Sequence, residues 1–316
     1  LIFTASCSIG MFDDPGQEGM AEDLIRQSVG GAIATLAATR TVYAGENAEF
    51  NQQIYDVLFG SETISICQAI FTGKVMRQYI SGPPRPVRND RPYSFFGDPF
   101  VALGVPQRAI TFSDRPDSLR ALARHDVSGG IVDQNSGAAI SMDGTVDIVI
   151  YDSEIKKYHK VYNGSGNVVD SVNYALNGPV IYRGSTPLAD GHFSFSFIAP
   201  LDIGFGGRGA KISLYAKSAS GDGFGLIDSI PVSASTNPGD DTTGPMIAIN
   251  FGNRENFVSG DRIQPDEALN VTLSDSAGLN LTGSAGHGIT LVIDGKVENS
   301  SNLTDLFQYD AGSYTT

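Results

Sequence analysis

The chain has no tryptophan, two cysteines and four histidines among its 316 residues. Cys7 and Cys67 are too few for a disulfide framework and have no His or Cys at ligand spacing, so the usual zinc modules are excluded and no metal is expected. Positive charge is scarce as well. Lys and Arg number 21 against 35 Asp and Glu, a net charge of −14. That balance lacks the clustered basic face of a nucleic-acid binder, and no nucleic-acid partner is expected. No stretch approaches the run of about 20 apolar residues that spans a membrane as a helix. The chain starts without Met inside an apolar run and stops at Ser313-Tyr314-Thr315-Thr316 with no closing element, so it is expected to be a piece of a longer protein.

Glycine, in contrast, is abundant at 37 residues, and apolar residues make up 41%. Short strands and turns should therefore fill much of the chain. The first forty residues differ. Leu1 to Ser6 reads as a short buried strand that stops at Cys7, with Ser8-Ile9-Gly10 turning the chain away. A helix is expected over about Gln17 to Gln27, with Met20, Ala21, Leu24 and Ile25 on one face, ended by Gly30-Gly31. Ala32 to Ala38 is a second apolar strand, followed by Thr39-Arg40. Strand–helix–strand predicts a parallel pair with a right-handed crossover, and sites in such sheets lie at the carboxyl ends of strands. Cys7 and Thr39-Arg40 both sit there.

Further on, Phe50, Ile54, Val57 and Leu58 repeat at helical spacing in a helix from Glu46 to Phe59. Ser61-Glu62-Thr63 opens another helix that runs to about Ile80, with Ile66, Ile70, Val75 and Ile80 inward, and Ser81 to Pro86 stops it. Beyond Gly97-Asp98-Pro99 and Pro106 the helical period gives way to alternation. Thr145 to Tyr151, Val180 to Arg183, Gly191 to Ile198 and Lys211 to Ala216 read as strands, with Phe193, Phe195 and Phe197 sharing a face. Their spacing is that of a β-sandwich. The polar stretch Ala234 to Gly244 reads as a linker, and a second β module follows. The expected division is 1–108, the C-terminal part of an α/β domain; 109–235, a β-sandwich module; and 236–316, a second β module, incomplete.

A cysteine nucleophile needs a neighbouring base and an oxyanion donor. His125, His159, His192 and His287 all lie in the presumed β region, and each reads as a loop or surface residue. By its residues alone, Cys7 at the end of a buried strand reads as structural before it reads as a nucleophile, and Cys67 reads as a small buried apolar residue. Asp13-Asp14, Asp240-Asp241 and Asp275 with Asn280 lack the alternating oxygen pattern of a calcium loop. Ile203-Gly204-Phe205-Gly206-Gly207 lacks the Lys-Ser/Thr ending of a phosphate loop and reads as a turn. Arg40 is placed either to wall a pocket or to pair with an acid such as Asp13.

Thr4 through Asp14, Gly31 through Tyr43 and Phe96-Gly97-Asp98-Pro99 together resemble the nucleophile segment, pocket loop and closing motif of gingipain-type cysteine peptidases. Within that family the chain is most similar to the cell-surface sortases of Bacteroidetes type IX secretion, whose β modules the motifs around Asp190-Gly191-His192, Asp275 to Asn280 and Gly286-His287-Gly288 resemble. The resemblance implies the C-terminal part of a caspase-like α/β peptidase domain followed by two immunoglobulin-like β-sandwich modules, the last truncated. It implies Cys7 as the catalytic nucleophile, Thr39, Arg40 and Tyr43 at the substrate pocket, and a catalytic His upstream of Leu1. It implies no cofactor. The partners would be the C-terminal domain of secreted cargo, other outer-membrane secretion components and a lipopolysaccharide acceptor, at the outer-membrane surface of a Gram-negative cell. The competing expectation is a non-catalytic surface scaffold or adhesion protein with a vestigial peptidase domain.

Overall fold

A computed structural model of the chain describes residues 1–60, 64–79, 89–204, 206–234, 243–252, 254, 257–283 and 286–316. The expected helix start at Ser61-Glu62-Thr63, the stop at Ser81 to Pro86 and most of the linker around Asp240 lie outside these residues. The chain forms two compact units, Leu1–Val105 and Pro106–Thr316.

The first unit runs β1 (Ile2–Thr4), α1 (Met20–Arg26), β2 (Ala34–Ala38), α2 (Ala44–Leu58), α3 (Ile66–Tyr79) and β3 (Tyr93–Gly97). β1 pairs with β2 in parallel, Ile2 opposite Thr35, and β3 joins the far side of β2 antiparallel, Ala38 opposite Tyr93. β2 is a run of small and apolar residues, all buried, as expected of a central strand covered on both faces. Phe50, Ile54 and Leu58 of α2 and Ile66 and Ile70 of α3 pack with Leu36, Ala38 and Tyr93 into one core. Phe3, Phe50 and Tyr93 form its aromatic centre, with ring centroids 5.2 to 6.0 Å apart. Two residues expected in the core stand elsewhere. Met20 opens α1 and is exposed, because the helix begins there and docks through Ala21, whose carbonyl accepts from Thr35 Oγ1. Val75, on α3, is also exposed.

Among the described residues, the regular structure of the second unit is strand apart from two single-turn helices: β4 (Arg108–Asp114), β5 (Leu119–Arg120), β6 (Arg124–Asp133), β7 (Gly144–Tyr151), β8 (Ile155–Tyr162), β9 (Val168–Leu176), β10 (Val180–Leu188), β11 (His192–Ile198), β12 (Ala210–Ser218), β13 (Gly221–Ile230), β14 (Val232–Ser233), β15 (Met246–Phe251), β16 (Leu269–Ser274), β17 (Thr290–Leu291) and β18 (Ser301–Asn302). Seven of these form one sheet in the order β10-β7-β12-β13-β4-β6-β11. Alternate residues point inward: Val146, Ile148 and Ile150 from β7, Ile212 and Leu214 from β12, Val127 and Ile131 from β6, and Phe193, Phe195 and Phe197 from β11. All belong to one core, so the sheet curls around it. Tyr182 on β10 lies 6.3 Å from Phe195 and 5.9 Å from Phe197, which brings the two edge strands together. Gly191 makes the turn between them. Its φ is +76°, and a Cβ there would meet the Ile140 carbonyl oxygen at 2.0 Å, so only glycine fits.

Residues 279–316 pack on this same core. Tyr309 is buried against Tyr182, with centroids 4.8 Å apart. The Tyr309 and Gly312 N–H groups donate to the Arg183 and Ser185 carbonyls along β10, and the Tyr182 hydroxyl donates to the Ser313 carbonyl. Among the described residues no helix is long and apolar enough to cross a membrane.

Candidate active site

Because β1 and β2 are parallel, their carboxyl ends lie together, and β3 starts at the same edge. Three short segments meet there: Ala5 to Gly10 after β1, Thr39 to Tyr43 after β2, and Asn89 to Pro92 before β3. Main-chain bonds join them. Ser8 N–H donates to the Arg40 carbonyl, Gly10 N–H to the Ala38 carbonyl, and Thr39 donates from both its N–H and its hydroxyl to the Pro92 carbonyl at 2.8 and 2.9 Å. The turn that carries Cys7 out of the sheet is strained: Ser8 has φ of 58°, the left-handed region that costs an L-residue about 1–2 kcal/mol. Gly10 is required for a different reason, since a Cβ there would meet Ala37 Cβ at 2.9 Å and the Phe96 ring at 3.0 Å.

Cys7 is exposed at this edge, and its sulfur rests on one residue of the neighbouring segment. The Sγ–H donates to the Val42 carbonyl at 3.5 Å, and the Val42 N–H donates to Sγ at 3.4 Å. Of the other expected site residues, Thr39 is half-buried on the Pro92 carbonyl, and Tyr43 is half-exposed beside Val42. Arg40 is exposed and engaged with Asp13: Nη1 reaches Oδ1 at 3.1 Å, Nη2 reaches Oδ2 at 2.5 Å, and Nη1 also donates to the Thr39 carbonyl at 2.7 Å. The paired guanidinium holds the Asp13 carboxyl below the usual carboxylate range. The pairing of Arg40 with Asp13 that the sequence allows is observed.

Behind this edge lies a buried polar network that sequence reasoning missed. Asn89, fully buried, accepts from the Tyr43 N–H at 3.0 Å and donates Nδ2 to the Tyr43 carbonyl at 2.6 Å and to Asn47 Oδ1 at 2.7 Å. Its own N–H donates to Glu46 Oε2 at 3.0 Å. The Tyr93 hydroxyl donates to the same Asn47 oxygen at 3.0 Å and lies 3.4 Å from the Thr4 carbonyl. Burial, with the nearby Cys7 sulfur, pushes the Tyr93 phenol up to about 12, so it stays a donor at neutral pH. One signal could have found part of this network. Asn47 falls at i, i+3, i+7, i+11 with Phe50, Ile54 and Leu58, a polar residue in the buried stripe of α2.

Cys67, expected to be buried, is half-buried on α3. Under native conditions a soluble thiol reagent is expected to modify Cys7 several-fold faster than Cys67, read site by site by peptide mass spectrometry; equal rates would contradict the exposed placement of Cys7. Among the described residues, no group of three or more His, Cys, Asp or Glu is placed to hold a metal ion. None of the four histidines lies in Leu1–Val105.

Residues 1–104 match the model of Peptidase family C25. That match takes in nearly the whole of the first compact unit and none of the second. Solved structures similar to the chain include dimeric latent PorU from Porphyromonas gingivalis, at 24% identity and TM-score 0.44 over 88% of this chain and 27% of that one. The Arg-specific cysteine proteinase gingipain R (RgpB) matches at 15% identity and TM-score 0.29, over 74% of this chain and 45% of that one. The complex of Porphyromonas gingivalis RgpB pro- and mature domains matches at 14% identity and TM-score 0.28, over 74% and 46%. The chain therefore spans less than half the length of each of these proteins. No curated protein matches it. The matched residues include Cys7, the segment after β2 and Asn89 to Pro92, the three stretches that meet at the exposed sulfur.

Proposed function

We propose that the chain is part of a gingipain-type cysteine peptidase in which Cys7 is the nucleophile. The observation that carries this reading is the position of Cys7. It is an exposed thiol on a strained turn at the carboxyl end of a parallel strand, inside the segment that matches family C25. Cys7 attacks the scissile carbonyl and forms a thioester, and the amine leaves with the proton that the base took from the thiol. The base is a histidine from outside the first unit, in a part of the longer protein that precedes Leu1. Main-chain N–H groups hold the oxyanion. Thr39 and Tyr43 line the substrate pocket, and the Asp13–Arg40 pair closes one side of it. Water then releases the acyl group, or an amine of a surface lipopolysaccharide takes it.

In the fuller form of this reading, the fold is caspase-like and followed by immunoglobulin-like β modules. The protein works at the outer-membrane surface with other secretion components, and its substrate is the C-terminal signal domain of type IX secreted cargo. The sortase-like motifs around Asp190-Gly191-His192, Asp275 to Asn280 and Gly286-His287-Gly288 support this fuller form. The protein containing residues 1–316 together with their upstream part should cleave a cargo C-terminal domain, and Cys7→Ala should lower kcat at least about 10³-fold with the thermal midpoint unchanged. The 316-residue chain alone should not cleave. Unchanged cleavage by Cys7→Ala would refute the nucleophile, and a longer protein that binds cargo without cleaving it would leave the scaffold reading in its place.

A further inference from the structure

We infer that Asn89 is a positioning residue for Cys7, its buried carboxamide fixing the Val42–Tyr43 peptide with the carbonyl turned toward the sulfur. The inference assumes the nucleophile reading of Cys7 and adds to it what sets the sulfur's surroundings.

The argument starts from one peptide plane. In a trans peptide the C=O and the following N–H point to opposite sides. The Val42 carbonyl faces Cys7 Sγ at 3.5 Å, and the Tyr43 N–H of that same peptide points the other way, to Asn89 Oδ1 at 3.0 Å. Asn89 thus grips the back of the peptide whose front touches the thiol. Nδ2 also donates to the Tyr43 carbonyl, which belongs to the next peptide, so Asn89 holds the chain on both sides of the Tyr43 Cα. A carboxamide can do this and a carboxylate cannot, since the site needs one acceptor and two donors. Asn89 is itself held at Nδ2 by Asn47 and at its backbone by Glu46 on α2, so the peptide is referenced to the helix rather than to a loop. Tyr43 is the residue before the first turn of α2, and its carbonyl also accepts from the Asn47 N–H at 3.0 Å. The effect on Cys7 has a definite sign. A carbonyl oxygen against the sulfur accepts the S–H and repels a thiolate. The Val42 N–H that also touches the sulfur belongs to the preceding peptide, which Asn89 does not contact. Releasing the Val42–Tyr43 peptide therefore removes the oxygen and leaves the donor.

The test needs no peptidase activity. Alkylation of the 316-residue chain by iodoacetamide is followed at Cys7 and Cys67 separately, for wild type, Asn89→Ala and Asn89→Asp. In both variants Cys7 should react about threefold faster or more while Cys67, in the same unit, keeps its rate. An unchanged ratio would overturn the inference, and so would an equal rise at both thiols, which is the mark of general loosening. A second measurement covers variants that do not fold. In the wild type the Tyr43 amide should exchange with deuterium at least about 100-fold slower than an open amide, and fast exchange there would overturn the inference too. The two proposals fail separately: Cys7→Ala that still cleaves would remove the nucleophile without touching the labelling ratio, and an unmoved ratio would remove Asn89 without touching cleavage.

Discussion

Arg77→Ala is expected to lower the stability of the first unit, Leu1–Val105, by about 3–5 kcal/mol near neutral pH, because it leaves a buried carboxylate without its partner. Arg77 and Asp90 are both nearly excluded from solvent, and Nη1 meets Oδ1 at 2.5 Å. Asp90 Oδ2 is buried and has no hydrogen-bond partner among the described residues, so this bond carries much of the carboxylate's compensation. On the other side Arg77 reaches Glu49 at 3.3 Å and lies 5.6 Å over the Phe50 ring, so its loss also uncovers the aromatic centre. Glu49 is largely exposed and contributes little.

The pH dependence follows from Asp90. Burial raises its carboxyl above the ordinary 3.8, against the lowering pull of Arg77 and Lys74. In the window above 3.8 the folded state therefore holds a proton that the unfolded state has released, and stability falls as pH rises through that window. Arg77→Ala removes one of the two lowering cations and moves the upper end of the window higher. The stability difference between wild type and Arg77→Ala, from urea unfolding followed by circular dichroism, should therefore be smaller near pH 4 than near pH 7. An equal difference at both pH values would show that lost packing, not the stranded charge, is the cause.

The parts of this unit that were legible in the sequence are the ones set by local pattern. β1, α1 and β2 follow from apolar runs, a helical period and a glycine stop, and the parallel pairing follows from their order. The position of Cys7 at a strand end needed only β1's boundary. The Asp13–Arg40 pair could be named, but not chosen, because a side chain at a sheet edge can turn either to a neighbour or to solvent. Asn89 was illegible. Its partners are 42 to 46 residues away, and a lone Asn before Asp-Arg-Pro looks like any polar loop residue. The alternating strands after Ala109 were similarly readable, since period-2 patterning marks a one-sided face. What that face packs against was not readable. The same limit holds for residues 236–316, which the polar linker marks as a module of their own. The linker signal is compositional, whereas the packing of Tyr309 depends on one aromatic meeting β10 from 127 residues away.

Tyr309 provides the second large effect. It is 3% exposed, stacks on Tyr182 with planes 12° apart, and meets the Phe307 ring edge-on at 5.1 Å. Its hydroxyl accepts from the Leu279 N–H at 2.6 Å and donates to the Leu279 carbonyl at 3.2 Å, tying the two ends of residues 279–309 together. Burial pushes this phenol up to about 12, so the hydroxyl remains neutral across the physiological range. Tyr309→Ala removes a buried aromatic and should cost about 3–5 kcal/mol. Tyr309→Phe keeps the stack, strands the Leu279 groups, and should cost about 1–3 kcal/mol. If the β10 contacts make residues 279–316 part of the central core, Tyr309→Ala lowers a single unfolding transition of the whole second unit. Proteolytic nicking between 234 and 244 should then leave two pieces that elute together on gel filtration in the wild type and separate in Tyr309→Ala. Two independent transitions, with only the minor one moved by the substitution, would instead make residues 236–316 a module that stands on its own.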